Sequence, residues 1–190
     1  MHKGRLEAFS DGVIAIIITI MVLELKIPHT DTLSALLPMT PIFLSYILSF
    51  VNVAIYWNNH HHLMQAAQKV NGPILWANMI LLFALSLFPF ATAWMGENHF
   101  SSTPVAFYGM ALIFAATAYT LLVKALIVYH GENSVLATAI GSDTKGKVSL
   151  LLYAVSIPLA FFLPSFSCLL YAAVAIMWLV PDKRIEKVLH

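Results

Sequence analysis

Charged side chains that could bind ions or exchange protons lie at the start of a long apolar segment. The run RLEAFSDGVIAIIITIMVLELKIP carries Arg5, Glu7 and Asp11 in its first turns and Thr19 near its centre. A charge at the centre of a membrane helix costs about 2.5–3.5 kcal/mol on insertion scales, so such residues usually face protein or water. Glu7 and Asp11 are four residues apart on one helix face, and their repulsion requires a cation, a donor or protonation. Arg5 points elsewhere, so we expect the partner of Asp11 to come from another helix.

A second polar cluster, YWNNHHHLM, places two asparagines and the histidines 60–62 at a depth that we expect to match that of Asp11. Successive helical residues point about 100° apart, so the three rings cannot converge on one ion. No His, Cys or acidic residue lies three or four positions from the cluster, which is the spacing of metal-binding pairs on a helix. Interhelical hydrogen bonding is therefore favoured over a fixed metal site, while solvation at the membrane interface remains open.

Composition defines the class of protein in which these residues act. The chain has 190 residues, of which 60% are hydrophobic and 10% charged, and its mean hydropathy is +0.83. A soluble domain of this size has more polar surface, so we predict an all-α integral membrane protein. The formal charge of +1 favours no polyanionic partner such as a nucleic acid. The single cysteine, Cys168, lies in an apolar run and is interpreted as a packing residue.

Six apolar spans can be drawn within one transmembrane domain covering residues 1–190. Pro28 ends the first span, because a helix interior does not accommodate proline, and Pro73 suits the start of the third. Glu7 and Asp11 and the apolar run beyond them favour a first membrane helix over a cleaved signal peptide. The last two spans are short, which implies little tilt or a thin membrane. The predicted spans are 5–27, 41–65, 73–94, 103–129, 148–163 and 166–180.

Basic residues predict the orientation of these spans. With a cytoplasmic N-terminus, only Lys26 of the ten lysines and arginines falls outside. This asymmetry predicts that both termini are cytoplasmic. The residues expected on the inner side are Lys3, Arg5, Lys69, Lys124, Lys145, Lys147, Lys183, Arg184 and Lys187.

A family resemblance adds to this interpretation. The pattern R-x-x-x-F-S-D, present as Arg5, Phe9, Ser10 and Asp11, resembles the signature of the transmembrane protein 175 family of lysosomal and prokaryotic potassium channels. The NHH run at 59–61 and the run SLFPFATAWMGE at 86–97 resemble the second and third helices of that family. The last three spans resemble it only in number and length. Animal members resemble two six-helix repeats in one chain, so a chain with one repeat resembles a prokaryotic member that forms a homotetramer.

The resemblance implies a pore lined by the first helix of each subunit. It assigns Ile16, Thr19 and Leu23 to the constriction, with potassium as the permeant ion and no cofactor. It implies a structural or gating network that holds the first helix in place. The residues of that network are Arg5, Phe9, Ser10, Asp11, Asn59 and, as the most probable histidine, His61. The sequence has no TVGYG-like segment that could form a carbonyl filter.

Helical geometry gives a separate test of the pore face. At about 100° per residue, Gly12, Ile16, Thr19 and Leu23 form a stripe about 60° wide, with Asp11 about 110° from its centre. A stripe that faces the pore axis therefore turns Asp11 towards a neighbouring helix, which favours hydrogen bonding over ion coordination. From periodicity alone, ordinary helix packing or lipid contact is the favoured explanation of the stripe, and Thr19 could simply bond its own helix. Only the family resemblance favours a pore-lining role.

We expect a potassium-permeable, non-enzymatic channel in the cell membrane of a prokaryote, with copies of itself and membrane lipids as partners. One alternative is a proton-permeable channel, or a proton-coupled transporter, that uses Asp11 and the histidines 60–62. Transporters usually show inverted repeats and broken helices, and neither is visible in the sequence. Another alternative is a membrane enzyme or metal site built from the same histidines and Asp11, which bound metal in the purified protein would favour.

Overall fold

The computed structural model describes residues 3–131, 134, 137–138, 141 and 143–179. Regular structure in this part of the chain is entirely helical, with seven α-helices and one 3₁₀ helix. The 3₁₀ helix, Leu33–Met39, leads directly into the second α-helix. The α-helices are α1 Lys3–Leu23, α2 Thr40–Ala66, α3 Gly72–Ser86, α4 Phe88–Glu97, α5 Ser102–His130, α6 Thr144–Leu159 and α7 Pro164–Leu179.

In the part of the chain that the structure describes, four helical segments are long and apolar enough to cross a membrane. They are Lys3–Leu23, Leu33–Ala66, Gly72–Glu97 and Ser102–His130. Helix α6 has 16 residues, and at 1.5 Å per residue it is about 24 Å long, shorter than a bilayer core of about 30 Å. The chain is therefore a helical membrane protein in which α6 is short.

Two helix ends differ from the positions expected from apolar length. Helix α1 ends at Leu23 rather than at Ile27, because Pro28 and the charged residues before it terminate the regular hydrogen bonding. Helix α6 covers Thr144–Leu159 rather than 148–163, because the Asp143 side chain caps its start and Pro158 lies in its last turn. Residue 180 of the sixth predicted span, and Lys183, Arg184 and Lys187, lie outside the described residues.

The third predicted span is one helical segment with a break. Helix α3 ends at Ser86 and α4 begins at Phe88, with Leu87 between them. Pro89 accounts for the break, because its nitrogen donates no hydrogen bond and its ring crowds the carbonyl of the preceding turn. The amide of Ala91 bonds the carbonyl of Leu87 at 3.0 Å, so the helix resumes directly after the break.

The core lies between α2, α3, α4, α5, α6 and α7, and α1 packs on one side of it against α2, α3 and α4. Two glycines permit the closest helix contacts. A Cβ on Gly96 of α4 would lie 2.9 Å from the Cα of Ile42 in α2, and one on Gly109 of α5 would collide with the Tyr171 hydroxyl of α7. Cys168 is partly buried in α7, as expected of a packing residue.

Candidate functional site

Helix α1 has one buried face and one exposed face. The buried face packs on the rest of the subunit and consists of Leu6, Ser10, Ile14, Ile17 and Met21. The predicted stripe, Gly12, Ile16, Thr19 and Leu23, lies entirely on the exposed face of the single chain. The side chain of Ile16 is 58% exposed and that of Leu23 is 80% exposed, although both are large and apolar.

A buried chain of hydrogen bonds fixes the packed face of α1. The Asn78 amide of α3 donates to Ser10 Oγ at 2.9 Å, and Ser10 Oγ donates to the carbonyl of Leu6 at 2.8 Å. Asn78 Oδ1 lies 2.8 Å from His60 Nε2 of α2, so that nitrogen carries the proton and donates. These polar side chains are fully or almost fully buried. One chain of bonds therefore ties α1, α2 and α3 together.

Asp11 lies on the exposed side and has a partner on a different helix. Trp57 Nε1 of α2 donates to Asp11 Oδ1 at 2.9 Å. The Trp57 ring stacks on the His61 ring with 5.9 Å between centroids and 19° between planes, and His61 Nε2 lies 2.9 Å from the Gln65 amide nitrogen. The carboxylate of Asp11 is thus held by an indole whose position His61 supports.

His60 and His61 of α2 relate to α1 in different ways, and the role of His61 in holding the first helix stays a prediction. The histidine in the hydrogen-bonded chain with α1 is His60, while His61 lies on the exposed face of α2, because adjacent residues of a helix point about 100° apart. Asn59 is also turned away from α1. Its amide donates to the carbonyl of Ile55 at 2.8 Å, and its own carbonyl accepts from the Tyr119 hydroxyl of α5.

The cation that contacts α2 near the start of α1 is Lys3 rather than Arg5. Lys3 Nζ donates to the carbonyl of Met64 in α2 at 2.8 Å and lies 3.8 Å from Glu7 Oε1. Arg5 is exposed and makes no hydrogen bond or ion pair to any described residue, and Phe9 is 51% exposed. The sequence marks Lys3 only as a basic residue one turn before Glu7, a spacing that permits this contact.

Thr19 bonds its own helix, yet its oxygen stays available. Its hydroxyl donates to the carbonyl of Ile16 at 2.8 Å, as is usual for threonine in a membrane helix. The proton is used in this bond, so the exposed side of the oxygen offers only lone pairs. Along the stripe, Thr19 is therefore an acceptor flanked by the aliphatic Ile16 and Leu23.

An ion pair holds the far end of α1. In the turn after the helix, Lys26 Nζ donates to Glu97 Oε1 at the end of α4. This hydrogen bond, and secondarily the charge of Glu97, raises the pKa of the Lys26 ammonium, which therefore stays charged at neutral pH. Lys26 and Glu97 are both solvent-exposed, so the pair positions the turn more than it stabilises the fold.

In the part of the chain that the structure describes, no three His, Cys, Asp or Glu side chains come together as a metal-binding group. The histidines illustrate the reason, because His60 turns inwards to Asn78 while His61 bonds Gln65 on the exposed side. The polar groups around α1 thus form hydrogen bonds between α1, α2 and α3 rather than a metal site.

Comparison with known proteins assigns the family. A potassium channel of Chryseobacterium sp. (strain P1-3) is 57% identical over 187 residues, which are 98% of this chain and 97% of that protein. The family described as endosomal/lysosomal potassium channel TMEM175 matches residues 5–89. The chain belongs to the TMEM175 family. The matched range contains the R-x-x-x-F-S-D motif, α1, α2 and α3, which together form the site described above.

Two other TMEM175 proteins are similar to this chain, one over almost the whole fold and the other over about half of the sequence. The crystal structure of a lysosomal potassium-selective channel TMEM175 homolog from Chamaesiphon minutus matches with a TM-score of 0.79 and 26% identity, covering 95% of this chain and 97% of that one. The human endosomal/lysosomal proton channel TMEM175 is 33% identical over 103 residues, which are 48% of this chain and 20% of the human protein. These relatives are ion channels rather than enzymes, as expected from the sequence.

Asn78→Ala tests the buried chain of hydrogen bonds. The substitution leaves Ser10 and His60 without their shared partner, and orphaned buried polar groups typically cost about 1–3 kcal/mol. We expect a lower thermal unfolding temperature of the purified protein in detergent. Asn98→Ala is the matched control, because the exposed Asn98 amide bonds only a carbonyl of its own helix. Equal unfolding temperatures for the two variants would contradict the structural role of the chain.

Proposed function

We propose that this TMEM175 protein is a potassium-permeable channel in which α1 of each subunit lines a central pore. The observation that carries the proposal is the arrangement of α1, which presents Ile16, Thr19 and Leu23 on the face opposite its buried polar anchor. The potassium channel names of the Chryseobacterium and Chamaesiphon relatives support the choice of ion. Potassium would pass down its gradient with no catalytic step and no cofactor.

The proposal includes assembly of four identical subunits. One subunit offers one pore-lining helix, and a single helix cannot enclose a path for water and ions. The exposed Ile16 and Leu23 in the middle and at the end of α1 would be sheltered when four copies place these stripes around one axis. Closed symmetry of this kind is the usual solution for homo-oligomers.

Selectivity in this proposal comes from an apolar constriction. Rings of Ile16 and Leu23 side chains cannot replace the hydration shell of an ion, so passage would depend on pore width and on the cost of removing water. The oxygens of four Thr19 side chains would offer acceptors between the two apolar rings. We expect weaker discrimination than a filter of backbone carbonyls provides.

Asp11 would form a mouth that attracts cations. It lies in the first turns of α1 and is exposed although Trp57 bonds one of its oxygens, whereas Glu7 is half-buried and paired with Lys3. Four copies would concentrate negative charge at one end of the pore and raise the local cation concentration. Asp11 thus has an electrostatic and a structural role, whereas the constriction lies further along α1.

The membrane arrangement is proposed on the same basis. The four long segments together with α6 and α7 would make six spans per subunit, with α3 and α4 forming one broken span. The distribution of basic residues supports cytoplasmic termini in a prokaryotic plasma membrane. The mouth formed by Asp11 would then be the cytoplasmic entrance.

Proton conduction is a second candidate, favoured by the name of the human relative as a proton channel. In this chain His60 lies next to the buried Asn78 and Ser10, close to α1 but on its packed face. Protons would therefore need a route outside the exposed stripe or through water in the pore itself. Reversal potentials under separate potassium and proton gradients distinguish the two ions.

Native mass spectrometry of the purified protein tests the assembly. We expect a species of four chains, because that number of α1 stripes surrounds a narrow path without leaving the apolar faces in lipid. Liposomes prepared from the same sample show whether the assembly conducts potassium. Conducting protein that contains only one or two chains would contradict the proposed pore.

Ile16→Asn tests the constriction and the ion selectivity together. The change replaces four apolar side chains with amides of similar length, so the narrow region should hold water more readily. We expect potassium flux into liposomes to rise, and sodium permeability to rise relatively more, because an apolar ring penalises the more tightly hydrated ion harder. The measurement is the reversal potential under opposed potassium and sodium gradients.

Ile18→Asn is the control for this experiment. Ile18 lies about 130° from the centre of the stripe and is partly buried against the core. The control should leave the permeability ratio of sodium to potassium unchanged, whatever its effect on stability. A changed ratio in Ile18→Asn, together with an unchanged ratio in a folded Ile16→Asn protein, would show that the pore face is wrongly assigned.

A further inference from the structure

A cleft inside the subunit lies apart from the helix that carries the proposed pore. All its lining residues come from α2, α5, α6, α7 and Asp143, the residue that caps α6. The space in the cleft that is open to the centres of water-sized molecules is about 50 Å³. Neither the R-x-x-x-F-S-D motif nor the exposed stripe of α1 contributes to it.

Aromatic rings form much of the wall of this cleft. They are Tyr56, Tyr119, Tyr153 and Trp178, one from each of the four helices. Tyr56 and Tyr119 meet edge to face at 6.2 Å, and Trp178 is held in place because its Nε1 donates to Ser149 Oγ at 2.9 Å. The Tyr56 and Tyr153 hydroxyls have no hydrogen-bond partner among the described residues. The cleft thus offers fixed aromatic surfaces and two available phenols.

The polar lining consists mainly of acceptors. Asn59, Thr120 and Ser149 each donate to a backbone carbonyl of their own helix at 2.8 Å. These bonds use an amide proton of Asn59 and the hydroxyl protons of the other two, so lone pairs remain for a guest. Asp143 adds a carboxylate, of which Oδ1 accepts from the Gly146 amide at 3.1 Å. A lining of this kind suits a guest that is positive or donates hydrogen bonds.

A cation of this chain already lies against the same wall. Lys145 Nζ is 5.7 Å from the centre of the Trp178 ring, within the range of a cation–π contact. Asp143 also has left-handed backbone geometry, with φ of +41°, which holds its side chain over the start of α6. The indole therefore attracts an ammonium group, and the carboxylate is in a fixed position nearby.

From this geometry we propose that the cleft binds a small organic monocation of the ammonium class. Asp143 supplies the counter-charge, and the aromatic rings of Tyr56, Tyr119, Tyr153 and Trp178 contact the poorly hydrated alkyl groups around the nitrogen. A small inorganic cation holds its water tightly and would leave the apolar ring faces of this lining unused, whereas the alkyl groups of an organic cation contact them. An anion would meet the Asp143 charge and the acceptor oxygens of Asn59, Thr120 and Ser149.

Tetramethylammonium is the probe for this site, with binding to the purified full-length protein in detergent measured by isothermal titration calorimetry. We expect saturable binding of tetramethylammonium and none of tert-butanol, a neutral compound of similar shape. The assay does not depend on conduction, so the site and the channel function can fail separately. Absence of saturable tetramethylammonium binding, or equal binding of the alcohol, would overturn the proposal.

Asp143→Asn locates the bound cation without removing the helix cap. Asparagine caps helices as well as aspartate does, so α6 should keep its start while the charge is lost. We expect affinity for tetramethylammonium to fall about tenfold or more, because the charge that attracts the guest cation is lost. Tyr56→Leu should weaken binding by about threefold or more, through loss of one ring.

Asp11→Asn is the matched control, since it removes a carboxylate at the proposed pore mouth and leaves the cleft intact. It should bind tetramethylammonium like the unchanged protein. Full affinity in a folded Asp143→Asn protein would overturn the assignment. Loss of affinity in Asp11→Asn alone would equally overturn it, because the cation would then be bound at the pore mouth.

Discussion

The need to pair buried polar groups fixes the rotation of α1, and the other features of the candidate pore depend on that rotation. Ser10 is fully buried and bonds Asn78, which in turn bonds His60. Within a membrane protein, a rotation of α1 that moved Ser10 away would leave the Asn78 amide without its acceptor in an apolar interior. The buried chain therefore determines which residues of α1 the subunit leaves uncovered.

That constraint connects the charged first turns with the apolar remainder of the helix. With Ser10 directed inwards, Asp11 lies at the exposed edge within reach of Trp57, and the stripe through Ile16 and Leu23 is uncovered. The ion pair of Lys26 with Glu97 holds the turn that follows. Helix α1 is thus anchored along one face and beyond its end, and the other face is available for assembly. This division of the helix into two faces is the basis of the proposed channel.

The sequence predicted those features that depend on residue type and approximate spacing. The family motif pointed to α1, helical spacing placed Asp11 away from the stripe, and charge cost implied a partner on another helix. The sequence could not identify Trp57 as the partner of Asp11, because nothing in the pattern distinguished Trp57 from the histidines that follow it. Nor could it choose between His60 and His61, since a change of one residue turns a side chain by about 100°. Tertiary packing alone makes that choice.

Similar reasoning explains the other differences between sequence and structure. Lys3 and Arg5 both lie in the first turn of α1, where a long basic side chain can reach several partners. Residue type alone therefore did not show that Lys3 is the one that contacts α2. The break at Leu87 has a visible signal in Pro89, but the length of the apolar run masked it. Nothing in the sequence indicated the aromatic cleft, because its rings come from four helices that are distant in the chain.

Cysteine accessibility along α1 tests the central claim about its faces most directly. In a Cys168→Ser background, single cysteines at positions 12, 14, 16, 17, 19, 21 and 23 are exposed to a cationic thiol reagent while potassium flux into liposomes is recorded. We expect modification to block flux at 12, 16, 19 and 23, which belong to the exposed stripe. We expect no block at 14, 17 and 21, which lie on the buried face. Block at the second set with none at the first would contradict the proposed pore.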